Sequence, residues 1–231
     1  MIPQAPIACK PGIVLRLLEM YERLEKHFGN LGWWPAETPF EVIVGAILTQ
    51  NTAWMNVTYA ITNLKDAGVL SAPTLYRLPI DTLATIIRPS GYHHVKAKRL
   101  AAFVGFLLDE YNGSLDDMFA QNHWVLRRKL LRIHGIGEET ADCILLYAGE
   151  KPVFIVDVYT RRILERHGSL SGKESYSDIQ SLFMDNLPVS VPLYNQYHAL
   201  LVQTGKTFCR KEKKCENCPL KEATGTIGCF T

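Results

Sequence analysis

Only one stretch of the chain, residues 152–158 (PVFIVDV), has the contiguous Val, Phe and Ile content of a β-strand. A single strand has no partner for its backbone N–H and C=O groups, so it cannot found a sheet. The stretch is therefore read as an extended link into a helix over residues 158–167, which puts Asp157 near the first helical turn. Elsewhere apolar residues recur at helical spacing, in Ile13, Leu17, Leu18, Tyr21, Leu24 and Phe28, then through 40–48, 95–108 and 194–202. Breakers fall at 32–39, 71–73, 88–91, 112–114, 149–152 and 187–192, spaced for helix-to-helix connections. The expectation is an all-α protein without repeats or low-complexity tracts.

The 231 residues, 47% of them hydrophobic, supply the core of one large domain or two small ones, which excludes a disordered chain. Lys and Arg number 25 against 23 Asp and Glu, so affinity for nucleic acid has to come from local basic clusters and not from the net charge of +2. No run of about 18 apolar residues is present, and the first residues lack a charged-then-apolar secretory layout. A soluble cytosolic protein with no membrane partner is expected. Of six cysteines, Cys9 and Cys143 are isolated, whereas Cys209, Cys215, Cys218 and Cys229 crowd the last 23 residues. In a reducing compartment that crowding points to a metal group and not to disulfides.

Between two helical patterns, 122–131 and 139–148, stands Ile133-His134-Gly135-Ile136-Gly137-Glu138-Glu139-Thr140-Ala141. Glycines one residue apart permit backbone angles that other residues resist and let the main chain approach a ligand closely. The N–H groups that open the following helix form an anion site suited to one DNA phosphate, with His134, Gly135 and Gly137 as the contacting residues. An ordinary tight helix turn is the plainer reading of a bare Gly-x-Gly. Context favours the phosphate, because Arg127, Arg128, Lys129 and Arg132 precede the hairpin and Asp157 follows it.

These motifs resemble the helix-hairpin-helix plus Gly/Pro-Asp motif of the endonuclease III superfamily of DNA glycosylases, whose hairpin typically reads Leu-Pro-Gly-Val-Gly-x-Lys-Thr-Ala. The resemblance spans most of the chain. It takes in Leu48-Thr49-Gln50-Asn51-Thr52, Gly91-Tyr92-His93-His94-Val95-Lys96-Ala97, Val156-Asp157-Val158-Tyr159-Thr160-Arg161-Arg162 and the cysteine-rich tail. It implies a base-excision enzyme that acts as a monomer on double-stranded DNA containing a damaged base. In the bifunctional members a lysine just before Thr-Ala attacks the sugar and forms a Schiff base. Glu139 stands in that place here, and a carboxylate cannot form an imine. The resemblance thus implies a monofunctional glycosylase with water as nucleophile and no lyase activity.

Asp157, 18 positions after Glu139, falls where the family keeps its catalytic aspartate. Departure of a base leaves an oxocarbenium-like sugar, which a nearby carboxylate stabilises and toward which it guides water. An N-cap or first-turn aspartate is the plainer role, and one residue can fill both.

Gly32-Trp33-Trp34-Pro35, with Trp54 after Gln50-Asn51-Thr52-Ala53, looks like the MagIII type of 3-methyladenine DNA glycosylase. In that type an aromatic pair, together with an aromatic after Leu-Thr-Gln-Asn-Thr, sandwiches the extruded base, and a glutamate takes the lysine's place. The resemblance implies a base pocket of Trp33, Trp34, Pro35, Trp54 and Glu139. A ring-methylated purine is cationic, and an indole face attracts a cation by roughly 0.5–2 kcal/mol. Such a base also departs without a general acid. Packing of Trp33 and Trp34 in the seam beside the N-terminal helix is the alternative. Extrusion further needs a plug and a wedge. By resemblance Gln50 is the plug and Tyr92 the wedge. His93, His94, Lys96, Lys98 and Arg99 form a neighbouring basic stretch that reads either as phosphate-neutralising or as a solvated helix face.

The tail spaces its cysteines with five, two and ten intervening residues. The endonuclease III-type enzymes hold a 4Fe–4S cluster with a slightly longer first gap and a shorter last one, and Cys218-Pro219 repeats their Cys-Pro step. The resemblance implies a structural cluster on Cys209, Cys215, Cys218 and Cys229, while a tetrahedral zinc on the same thiolates is chemically open. Lys206, Arg210, Lys211, Lys213 and Lys214 would make the loop a phosphate-contacting surface. The MagIII type lacks the cluster, so the chain joins a MagIII-like pocket to an endonuclease III-like tail.

The implied architecture is two helical lobes. A multi-helix lobe over 36–150 ends in the helix-hairpin-helix, and a second, over 1–35 and 151–231, carries the C-terminal metal-cluster loop. The expected activity is hydrolysis of the N-glycosidic bond of a flipped alkylated purine such as 3-methyladenine. A uracil, thymine or adenine mismatch glycosylase and a non-catalytic helix-hairpin-helix DNA-binding protein are the alternatives.

Overall fold

The computed structural model describes residues 11–221, with side chains from Arg16 onward, so the expectations placed on Cys9 and Cys229 lie outside the described residues. Its helices, in chain order, are α1 (Pro11–Phe28), α2 (Pro39–Leu48), α3 (Trp54–Asp66), α4 (Ala72–Arg77), α5 (Ile80–Ile86), α6 (His93–Tyr111), α7 (Leu115–Phe119), α8 (His123–Leu130), α9 (Glu138–Cys143), α10 (Val158–Arg166), α11 (Tyr176–Met184) and α12 (Val191–Thr207). A 3₁₀ turn at Arg88–Ser90 precedes α6, and a π-helical turn, Ile144–Ala148, continues α9. Among the described residues there is no β-strand, only an isolated bridge between Cys209 and Lys213. The fold is all-helical, as the apolar spacing predicts. No described helix is long and apolar enough to cross a membrane. The chain divides into two compact units, Trp34–Lys151 and Met1–Trp33 with Pro152–Thr231.

In Trp34–Lys151 the central element is α2, whose residues 40–48 are all buried. A helix with no polar face belongs inside a core, and α2 packs against α3, α6, α9 and the π-helical turn. Thr38 starts it by accepting the Glu41 N–H at 3.1 Å, with Pro39 in the first turn where a missing N–H costs nothing. Glu41 is neutralised by Lys65 Nζ at 3.0 Å. The two helices of the hairpin, α8 and α9, are tied by a bidentate ion pair in which Arg127 Nε and Nη2 donate to Asp142 at 2.6 and 2.9 Å. Asp142 is fully buried, so its charge requires that fork.

Lys96 on α6 turns inward with 1% exposure. Its ammonium donates to the Leu48 carbonyl at 2.8 Å, at the end of α2, and to the Ser90 carbonyl at 2.6 Å, in the 3₁₀ turn. This corrects its expected place among the phosphate contacts, because both carbonyls lie inside and the amine satisfies them there. Burial, reinforced by the charge of Arg99, lowers the Lys96 pKa from 10.5 to about 8.

In the second unit an aromatic core holds α1, α11 and α12 around residues 152–157. Phe154 stacks on Phe183 at 3.9 Å, and Tyr194 and Tyr197 meet the Phe154 ring edge-on. The Tyr197 hydroxyl donates to the Leu17 carbonyl at 2.8 Å, joining α12 to α1. The strand-like run is buried as a lone extended segment. Side chains supply part of its backbone pairing: Gln180 donates to the Phe154 carbonyl at 2.6 Å, and the Val156 N–H donates to the Tyr176 hydroxyl at 3.2 Å.

Replacing Lys96 by Met leaves two buried carbonyls unpaired and is expected to cost about 2–5 kcal/mol in urea denaturation at pH 7. The folded pKa of Lys96 lies below the unfolded value, so the unfolded chain binds more protons between about pH 8 and 10.5. The stability that this residue confers therefore rises with pH across that window and is least below it. Denaturation at pH 7 and pH 10 should show wild type gaining on Lys96→Met; a constant difference would contradict the assignment.

Candidate active site

Asp157 closes the extended segment and caps α10. Its Oδ1 accepts the Thr160 N–H at 2.7 Å, and the side chain is 8% exposed. Its Oδ2 lies 3.8 Å from His198 Nε2 on α12. Burial lowers the His198 pKa, the charge of Asp157 pushes it back up, and the Lys206 ammonium lowers it again. Lys206, also on α12, is lowered by its own burial and raised by Asp157. Neither His198 nor Lys206 was marked by the sequence as a neighbour of Asp157. The first sits in an apolar helical pattern and the second reads as part of the basic collar of the cysteine tail.

The aromatic residues divide. Trp34 meets Trp54 edge-to-face, with ring centroids 4.9 Å apart and planes at 88°, and lies 5.2 Å from Tyr147 of the π-helical turn. Gly45 on α2 makes room for it, since a Cβ there would stand 3.3 Å from the Trp34 indole. Trp33 belongs to the other unit, where Lys206 Nζ lies 5.3 Å from its ring centre. Of the expected residues Trp34 and Trp54 are in ring contact, and Tyr147, which no local sequence signal marked, joins them. An edge-to-face pair leaves no slot between parallel faces, so a base sandwiched between these two indoles would require one of them to swing. Pro35 is exposed in the turn where the Ala36 N–H returns to the Trp34 carbonyl at 3.0 Å. Glu139 is the second residue of α9 and is exposed.

The hairpin between α8 and α9 uses its glycines unequally. Gly135 has a φ of +82°, and the aliphatic stem of Arg99 occupies the space a Cβ would need. Gly137, the N-cap of α9, has an ordinary φ of −91° and open space at its missing Cβ. Only Gly135 therefore depends on glycine for its conformation. Ile133 and Ile136 anchor the turn inside, while His134 is exposed. Gln50 is held against this turn. Its amide donates to the Gly135 carbonyl at 3.0 Å and to Thr140 Oγ1 at 2.9 Å, and its carbonyl accepts from Arg99 Nη1. The next residue, Asn51, is exposed with a φ of +53°. Tyr92 precedes α6 with a φ of +45° and is 72% exposed.

Cys209, Cys215 and Cys218 line one pocket with Ile163, Arg166, His167, Thr204, Phe208 and Lys213. Arg166 secures the rim: its Nη1 lies 3.3 Å from Cys209 Sγ and donates to the Arg210 carbonyl at 2.6 Å. Burial pushes the Cys218 thiol up, the Leu220 N–H works against that, and Cys215 and Cys209 push it up further. Among the described residues, no three His, Cys, Asp or Glu side chains are gathered to hold a single metal ion. Three thiols lining one pocket are the donor type that a thiolate-held group requires.

A family model described as HhH-GPD superfamily base excision DNA repair protein matches residues 44–189. A protein of Methanocaldococcus jannaschii, named provisionally as a DNA repair glycosylase, is 44% identical over 89% of this chain and 94% of its own. Among solved structures, the H. pylori 3-methyladenine DNA glycosylase MagIII bound to 1,N6-ethenoadenine matches with a TM-score of 0.72 and 28% identity, over 84% of this chain and 96% of its own. A non-covalent endonuclease III–DNA complex shares the fold, with a TM-score of 0.77 and 20% identity over 89% of this chain and 92% of that one. An aspartate at a helix N-cap, a Gly-x-Gly hairpin and this breadth of similarity lead to one conclusion: the chain belongs to the HhH-GPD superfamily of base excision DNA repair proteins and is a DNA repair glycosylase.

Proposed function

We propose that the chain is a monofunctional glycosylase that hydrolyses the N-glycosidic bond of an alkylated purine, such as 3-methyladenine, flipped out of duplex DNA. The observation that carries the reading is the company of Glu139: a carboxylate in the position of the bifunctional members' amine, in the same unit as the Trp34–Trp54 pair. A cationic base gains from indole faces and from a nearby negative charge, and its positive ring is already a good leaving group. MagIII, which this chain resembles in sequence and fold, is a 3-methyladenine DNA glycosylase seen with an ethenoadenine. Similarity of this degree supports an alkylated purine over a neutral mismatched base.

In this reading Asp157 acts on the sugar. Loss of the base develops positive charge at the anomeric carbon, which the carboxylate stabilises while it directs water to the opposite side of the departing base. The hairpin, through His134, Gly135 and the N–H groups at Gly137, grips a phosphate. Tyr92, held at an exposed tip, opens the stack as the wedge, and Gln50 fills the vacated space once it leaves its partners on the hairpin. Cys209, Cys215 and Cys218, with Cys229 from outside the described residues, would hold a 4Fe–4S cluster, whose contribution when bound is to brace the tail. The enzyme acts as a monomer on DNA in the cytoplasm.

Three outcomes test this reading. Free-base analysis of dimethyl sulfate-treated duplex should show 3-methyladenine released by wild type, no release from uracil, thymine or adenine mismatches, and none by Asp157→Asn, which still binds the duplex; mismatch release alone would replace the substrate class. Borohydride should trap no covalent complex with wild type, whereas Glu139→Lys is expected to gain one, and trapping by wild type would end the monofunctional assignment. Elemental analysis of purified protein should find iron and acid-labile sulfide in equal amounts; zinc in their place would exclude the cluster.

A further inference from the structure

Asp157 caps α10 with one oxygen, which leaves the setting of the other to a different element. Oδ1 is committed to the Thr160 N–H at 2.7 Å. Oδ2 lies 3.8 Å from His198 Nε2, with the two side chains 8% and 6% exposed. That spacing is longer than a hydrogen bond and within the reach of an ion pair or a small adjustment. Two contacts fix the register of α10 on α12 just beyond the cap. The Tyr159 ring fills the space in front of Gly205, where no Cβ could stand, and Arg162 Nη2 donates to the Gly205 carbonyl at 3.2 Å. The helix therefore delivers His198 to Oδ2. Lys206, about two turns further along the same helix face, also acts electrostatically on Asp157.

We propose that His198 is a positioning residue for Asp157, fixing the orientation of Oδ2, the oxygen left to act on the sugar. The proposal rests on the assignment of Asp157 as the catalytic carboxylate. A reacting group displaced by about 1 Å can lose on the order of 100-fold in rate, so a neighbour that sets its rotamer is felt in turnover. The charged groups acting on His198 are Asp157, from the start of α10, and Lys206, from its own helix.

Two substitutions separate positioning from packing. His198→Leu keeps apolar volume and removes the ring nitrogens, whereas His198→Gln retains a donor of similar reach. Single-turnover release of 3-methyladenine from dimethyl sulfate-treated duplex is expected to fall roughly 100-fold in His198→Leu. His198→Gln should recover most of that rate. Affinity for a duplex carrying a tetrahydrofuran abasic analogue and the thermal midpoint should stay near wild type in both. Wild-type release by His198→Leu, or equal loss in both variants with a lowered midpoint, overturns the proposal. An NMR titration of the His198 ring gives a readout independent of substrate. Because the charge of Asp157 raises the ring's pKa, Asp157→Asn should lower its titration midpoint, and an unmoved midpoint overturns the coupling. Should wild type release no methylated base while that midpoint shifts, the alkylated-base reading fails and the positioning inference stands.

Discussion

The unit that carries the hairpin is organised by one buried ammonium shared between two carbonyls. Lys96 Nζ joins the end of α2, through Leu48, to the turn before α6, through Ser90. Two residues beyond each carbonyl stand Gln50 and Tyr92, and Asn51 follows Gln50. Asn51 and Tyr92 both hold positive φ, a conformation that costs a non-glycine residue about 1–3 kcal/mol and persists only where its surroundings determine it. The amine helps to supply that determination by holding the backbone two residues before Gln50 and Tyr92. Gln50 extends the network by bonding to Gly135 and Thr140. The loops bearing Gln50 and Tyr92 and the Gly-x-Gly hairpin thus form one hydrogen-bonded assembly.

Much of the positive charge in this unit is satisfied internally. Arg127 is forked onto Asp142, Lys129 donates to Glu110 at 2.7 Å and to the Tyr111 hydroxyl at 3.0 Å, and Lys96 is sealed in. Arg77, Arg88, Lys98, Arg128 and Arg132 remain exposed. With a net charge of only +2, attraction to DNA has to come from such local exposed cations and not from the overall charge.

The regular helices were legible in the sequence because burial of one face imposes a period on apolar residues, as in α1 and α12. The cap at Asp157 was legible because an aspartate directly before a helical pattern can accept one of the first free N–H groups. The rest depends on partners remote in the chain. A lysine within His93-His94-Val95-Lys96-Ala97-Lys98 reads as surface charge, and only residues 48 and 90 reveal that it is interior. Trp33 and Trp34 are neighbours in sequence, yet the boundary between the two units falls between them. His198 sits among apolar residues of α12 and comes beside Asp157 only when α12 packs on α10.

The π-helical turn at Ile144–Ala148 had no compositional mark at all. Its ladder runs one residue longer than an α-helical one, with the Gly149 N–H reaching the Ile144 carbonyl at 3.0 Å. In effect the helix carries one surplus residue, and deleting it would restore the α period and rotate the later side chains by about 100°. Tyr147 would then leave Trp34, and the chain would arrive at residue 149 out of phase with the Phe119 ring that now fills the place of a missing Cβ. Reading frames of side chains, and not only their identities, are what this stretch transmits, so its length is under tighter constraint than any one residue within it.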